Sequence, residues 1–346
     1  FGHLEFAKRS ESILQICLQY EPDIICFQEC TRGFINNHLI NCFEIWDTYD
    51  CSDIGDGSSV GSYGVLMLTK KYLNVTFIIQ DMNSRMDRKF LMCKFNMKGE
   101  DMIVGTVHLE SLNNHDIREK QLEICHNSCK NVKHSIICGD FNFCSYRNFN
   151  PKKEILENRC LRNICNDYID IWDDLIIKPY MYQLKASIPD TNNCNRSNPT
   201  PNTSTNTNSI YNMHNKLTDD DINTMPLSIR GYTFDSEVNN NIANCERFRL
   251  DRFLYKTQGA GSNSTGANNT NTDPNGHGNK RNISNISDIS DITNNSINTT
   301  HNTTNAFLYP IRIEIIGNQN INANINANAA ASGSGSASVS NYIIID

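Results

Sequence analysis

Apolar residues recur at helical spacing through FAKRSESILQICLQY, where Phe6, Ile13, Leu14, Cys17 and Leu18 fall on one face and Pro22 ends the run. DIICFQE follows as a short buried strand. GVLMLTK, FLMCKFNM and MIVGTVHLES predict three more strands, and the turn NMKGED predicts a hairpin between the last two. DIREKQLEICHNSCKNV returns to helical period, and SIICGDFNF reads as a strand running into a turn. Helices and strands interleave, with hairpins among them. Residues 1 to about 185 therefore predict an α/β sandwich with mixed sheets.

Further on, the pattern survives only in pieces. Residues 189–229 lose all period and fill with Asn, Thr, Ser and Pro. Order returns at GYTFDSEVNN and ERFRLDRFLYK, is lost over 257–305, and returns briefly in the strand-like AFLYPIRIEIIG. The expected organisation is one domain in three parts, 1–188, 230–256 and 306–317, interrupted by two low-complexity insertions and followed by a third such tract at 318–346. Composition agrees. Only 38% of residues are hydrophobic, and about 13 of roughly 50 asparagines lie in the first 150 residues. Such tracts cannot bury enough apolar surface to offset backbone entropy, which predicts disordered Asn-rich insertions. A prion-like, self-associating role is the alternative.

No apolar run approaches the ~20 residues that cross a bilayer. A formal charge of −7 argues against coating nucleic acid through bulk positive charge and leaves room for a local basic groove. The chain opens at Phe1 with no basic-then-apolar leader, which reads as a fragment. Its 14 cysteines include no CxxC pair, and several sit inside apolar runs, such as Cys26 in IICF and Cys138 in IICGD. That pattern reads as buried, reduced thiols of a reducing compartment.

Four segments end an apolar strand in residues suited to metal or phosphate. Glu29 follows a buried strand through Gln28 and suits Mg²⁺, which takes few protein ligands; the alternative is a solvated strand-end glutamate. Asp140 and Asn142, just after Gly139, can take a proton from water and orient it, or can form an ordinary Asx turn. In VHLES, His108 and Glu110 share a strand face and Ser111 follows. Imidazolium and hydroxyl are phosphate donors, although a strand histidine is also a common structural residue. Asp251, between Arg249 and Arg252, needs a partner such as histidine if it points inward, or forms a salt bridge with one of those arginines.

The order Glu, His-x-x-Ser, Gly-Asp-x-Asn, Arg-x-Asp resembles the endonuclease/exonuclease/phosphatase family of Mg²⁺-dependent phosphodiesterases. FQE, VHLES, Arg118 with Gln121 in IREKQL, GDFN, YTFD and RLDR are most similar to its 5′-tyrosyl-DNA phosphodiesterase branch. The resemblance implies a four-layer α/β sandwich with two packed mixed sheets. It implies Glu29 as the Mg²⁺ ligand (Mn²⁺ being an alternative ion), Asp140 activating water, Asn142 orienting it, His108 and Ser111 on the scissile phosphate, and Asp251 orienting a histidine. Arg118, Tyr232 and Phe234 would contact substrate. The branch's first-motif Asn and final Ser-Asp-His are absent from the sequence, and its arginines two positions after Asn142 and Ser111 are Cys144 and Asn113 here. The implied activity is hydrolysis of a 5′-phosphotyrosyl bond on DNA to leave a 5′-phosphate, in the nucleus and/or cytoplasm. Rival readings are the same chemistry on an RNA 3′ end, abasic DNA or a phospholipid head group, and a non-catalytic binding module.

Overall fold

The computed structural model describes residues 2–146, 157–186, 224–237, 246–257, 313–316 and 342–345. Helix α1 (Gly2–Tyr20) buries Leu14 and Cys17, with Phe6, Ile13 and Leu18 packed beside them. It stops at Glu21, whose N–H still bonds the Cys17 carbonyl while its φ of +44° turns the chain toward Pro22. Strand β1 (Ile24–Cys30) leads into α2 (Arg32–Asn37), whose start is capped by the Thr31 hydroxyl accepting the Phe34 N–H at 3.2 Å. Then come α3 (Phe43–Thr48), β2 (Tyr49–Cys51) and β3 (Gly64–Lys70).

Strands β4 (Thr76–Asp81), β5 (Lys89–Met97) and β6 (Glu100–His108) form a meander, with the expected hairpin closing at Met97 and Glu100. Helix α4 (His115–Cys129) crosses over to β7 (His134–Asp140), which pairs parallel to β6. Helix α5 (Glu157–Ile164) and β8 (Ile169–Asp170) lead to a π-helical turn and α6 (Lys178–Ala186). Next are α7 (Leu227–Arg230), β9 (Phe234–Asp235), β10 (Arg247–Phe248) and β11 (Asp251–Thr257).

The large sheet has the order β4-β5-β6-β7-β11-β8 and is mixed only at the β6–β7 pair. The small sheet, β1-β3-β2, is wholly antiparallel, which corrects the expectation of two mixed sheets. Helices α2 and α3 carry the chain from β1 to β2 on the other side of β3, and β3 returns between them, antiparallel to both. Two-residue β9 pairs with β10, and β12 (Ile313–Ile316) pairs with β13 (Tyr342–Ile345).

Period-two alternation sorts the strands into layers. From β3, Leu66 and Leu68 face α1, α2 and α3, while Val65 and Met67 face the large sheet. From β5, Leu91, Cys93 and Phe95 meet Val65 and Met67, while Phe90 and Met92 face α4 and α5. Met102 and Val104 of β6 look to the small sheet, and Ile103 and Val107 look to the helices. The result is helix, sheet, sheet, helix, the four-layer α/β sandwich. Each fully buried side chain of these layers contributes roughly 1.5–3 kcal/mol.

The low-complexity expectations fall largely outside the described residues, with two exceptions. Within 189–229, Met225 is buried and α7 forms, because Ile229 packs against the Trp172 cluster and its carbonyl accepts the Trp172 Nε1–H at 2.9 Å. Within 318–346, Tyr342–Ile345 is a strand.

Candidate active site

Parallel pairing of β6 and β7 puts His108 opposite Asp140, and antiparallel pairing of β7 and β11 puts Asp140 opposite Asp251. One edge of the large sheet thus gathers all three residues. Gly139 makes the last step possible: its φ is +123°, and a Cβ there would stand 2.1 Å from the Val107 carbonyl oxygen. Asp140 then accepts the Asn142 N–H on Oδ1 at 2.7 Å and lies 3.5 Å from His108 Nε2 through Oδ2. Asn142, at φ +54°, donates its Nδ2–H to the Leu109 carbonyl at 2.9 Å. The Asx turn and the candidate water-activating pair are therefore the same structure.

Glu29 arrives from the small sheet. The β1–β3 register slips between Phe27 and Cys30, and this irregularity leaves Glu29 exposed at φ +56°. Gln28 donates to the Thr106 hydroxyl at 2.9 Å, tying β1 to β6 beneath the site. Partial burial, then the Asp251 charge, push Asp140 up to about 8, the Glu29 charge adding to the rise and the Asn142 N–H opposing it. Asp251 rises to about 6, through burial and the Glu29 charge, against the Thr233 bond. The Glu29 charge thus acts on both Asp140 and Asp251.

His108 is 4% exposed, and its Nδ1 lies 2.9 Å from Arg88 Nη1. A guanidinium can only donate, so Nδ1 accepts and Nε2 carries the proton. Burial, together with the Arg88 charge, lowers the His108 pKa to about 3. What His108 can offer is thus a neutral imidazole N–H, in place of the expected imidazolium.

Arg88 went unnoticed in the sequence. It lies in NSRMDR, the β4–β5 connection, 5% exposed, with its guanidinium 5.1 Å from the centre of the Tyr63 ring. The same connection braces the loop after β6: Ser84 Oγ donates to Glu110 at 2.6 Å, and the Ser111 hydroxyl lies 3.0 Å from Met86 Sδ. Glu110 is fully buried in that contact and does not share the site with His108. Thr233, also unnoticed, accepts the N–H groups of Leu250 and Asp251 at 3.0 and 3.1 Å.

Three expected substrate contacts take other places. Arg118 is 2% exposed; Nε and Nη2 grip Glu157 at 2.6 Å each, and Nη1 donates to the carbonyls of Glu110 and Leu112 at 2.6 and 2.8 Å. It holds the loop after β6 and turns no face to a substrate. Tyr232 is buried edge-on against Tyr146, and half-buried Phe234 stacks on Phe248. Neither neighbouring arginine pairs with Asp251: Arg249 grips Asp170 and Asp173, and Arg252 turns to Asp170 and Asn158. Cys144, where the branch has arginine, is buried.

A family model described as "Endonuclease/Exonuclease/phosphatase family" matches residues 3–291. The chain belongs to that family. Its members are hydrolases of phosphodiester bonds. No curated protein matches the chain. Among solved structures, TDP2 of D. rerio, complexed with a single-strand DNA product, is similar at 18% identity and a TM-score of 0.46, over 72% of this chain and 77% of that one. Truncated TDP2 of Caenorhabditis elegans is similar at 15% identity and 0.44, over 72% and 77%. The human Nocturnin catalytic domain with bound sulfate gives 13% and 0.41, over 74% and 76%.

Among the described residues no group of three or more His, Cys, Asp or Glu forms a metal cage. The donor set nonetheless fits a hard divalent cation, since Mg²⁺ takes one or two carboxylates and keeps its waters. Burial and neighbouring negative charge raise both Asp140 and Asp251, and a divalent cation close by would favour their ionised forms.

Proposed function

We propose that the chain is a Mg²⁺-dependent phosphodiesterase that hydrolyses the 5′-phosphotyrosyl bond on DNA and leaves a 5′-phosphate. The observation carrying this reading is the register that sets His108, Asp140 and Asp251 side by side on neighbouring strands, with Asn142 in the Asp140 turn and the Glu29 charge acting on Asp140. Glu29 would hold the ion, which would supply positive charge for the phosphoryl oxygens as negative charge builds.

Asp140 accepts the proton of the attacking water. The Asn142 amide, anchored to the Leu109 carbonyl, fixes where that water sits. His108 Nε2–H donates to the non-bridging oxygen, its tautomer set by Arg88. Beside His108, a small cleft is lined by Tyr63, Asp87, Arg88 and Lys89, with the Arg88 guanidinium over the Tyr63 ring. A tyrosine phenolate, with pKa about 10, leaves readily enough for charge stabilisation to carry most of the rate.

The test is direct. With Mg²⁺, the protein should release tyrosine from a 5′-phosphotyrosyl single-stranded end far faster than it cuts an abasic site, and chelation should abolish release. Full activity in chelator would refute the metal assignment. Hydrolysis of RNA 3′ ends or phospholipid with no action on phosphotyrosyl DNA would refute the substrate.

A further inference from the structure

Four non-glycine residues with positive φ border the site: Glu29, Asp87, Asn142 and Leu112. Asn and Asp visit that conformation several-fold more often than Leu, whose Cβ crowds the carbonyl oxygen with no side-chain hydrogen bond to offset it. Leu112 holds φ +63° and is 74% exposed. Two asparagines, Asn113 and Asn114, follow at once, so residues suited to the left-handed region stand next in sequence while Leu occupies it.

The surroundings enforce the strain. Arg118, itself locked by Glu157, holds the carbonyls of Glu110 and Leu112. The Asn114 N–H bonds the Leu112 carbonyl at 2.9 Å, and Asn114 Nδ2 bonds that of Ser111 at 2.7 Å. A buried ion pair and four further bonds thus aim one apolar side chain into solvent, next to Ser111. Strain of this kind persists where the rest of the fold over-determines it, typically at ligand-binding positions.

We propose that Leu112 is a substrate-positioning residue that packs against the nucleobase next to the scissile phosphate. The assignment rests on the phosphodiesterase reading above. The cleft beside His108 is lined by Tyr63, Asp87, Arg88 and Lys89 and includes no residue of the Ser111–Asn114 loop. Leu112 directly follows Ser111, the residue expected on the scissile phosphate, which sets its exposed side chain beside the nucleotide in this reading. A flat base offers a sequence-independent apolar face to an aliphatic side chain.

The probes are two p-nitrophenyl esters, one of thymidine 5′-monophosphate and one of the matching base-free deoxyribose 5′-phosphate. Leu112→Ala should raise KM for the thymidine ester about fivefold to tenfold, as expected for losing part of one leucine contact. It should leave kcat and the base-free ester unchanged. Leu112→Gly should raise KM in the same way while raising the thermal midpoint, because glycine releases the strain. A residue with a purely structural role would not weaken substrate use while stabilising the fold. Unchanged kinetics, or equal losses on both esters, would overturn the assignment and leave the phosphodiesterase reading intact. A loss confined to tyrosyl-peptide leaving groups would place Leu112 on the protein side and overturn it too. Hydrolysis of neither ester by the unaltered protein would overturn both.

Discussion

Replacing Arg118 with methionine tests how the loop after β6 is held. The guanidinium makes two 2.6 Å bonds to Glu157 and two more to the carbonyls of Glu110 and Leu112, at 2% exposure. Arg118→Met keeps the aliphatic volume and strands a carboxylate and two carbonyls. Breaking a buried ion pair by removing one partner costs about 3–5 kcal/mol. Glu157 is 17% exposed, so water reaches it. That places the loss near the lower end, about 3 kcal/mol, or roughly 6–12 °C in thermal midpoint for a domain of this size. Urea unfolding would measure it. Arg118→Met with Glu157→Met removes both charges and should recover part of the loss, since no carboxylate is left unpaired. A single-variant loss below about 1 kcal/mol, or a double variant no better than the single, would show that water replaces the guanidinium.

Asp140→Asn should abolish hydrolysis, because an amide takes no proton from water, and His108→Ala should lower kcat about a hundredfold or more; steady-state kinetics read both. Glu29→Gln should raise the Mg²⁺ concentration needed for half-maximal rate, with the midpoint of unfolding unmoved, since the side chain is exposed. Burial works to raise the Asp53 pKa, but bonds from the Ser59 hydroxyl and the N–H groups of Ser59, Gly57 and Gly55 outweigh it, and the net shift is down. A depressed carboxyl stabilises the fold above its unfolded pKa of about 3.9 and loses that contribution as pH falls through the folded value. Asp53→Asn should therefore flatten the acid limb of thermal midpoint against pH below about 4, and an unaltered limb would contradict the bonding.

The strands the sequence exposes are those buried on both faces. β1, β3, β5, β6 and β7 appear as continuous apolar runs because each lies between a sheet and a helix layer or between the two sheets. β4 escaped notice: it is an edge strand whose Ile78 and Ile79 are both largely exposed, which breaks the alternation. Glu29, His108 and Asp140 stand at the ends of apolar strands, whereas Asp251 opens β11 and its apolar residues follow it. Arg88 has no apolar lead-in, since it precedes its strand within a polar connection, and only the register of Phe90 against Val107 brings it to His108. The resemblance implied a substrate contact for Arg118. Its burial depends on Glu157, 39 residues away in sequence.

Glu29 belongs to one sheet, and His108, Asp140 and Asp251 belong to the other. Between them lies the layer of Val65, Met67, Leu91, Cys93, Met102 and Val104. The thickness of that layer, strutted by Gln28 on Thr106, sets the spacing of the charges. It acts as a gauge block, and close-packed interiors transmit small changes of volume. A methylene gained or lost at Met67 would move the ion-binding carboxylate relative to the phosphate donor without touching either, and misplacement by about 1 Å can lower a rate a hundredfold. The chemical tolerance of the site is thus machined in its least reactive residues. In this protein, rate should drift with core volume before it drifts with charge.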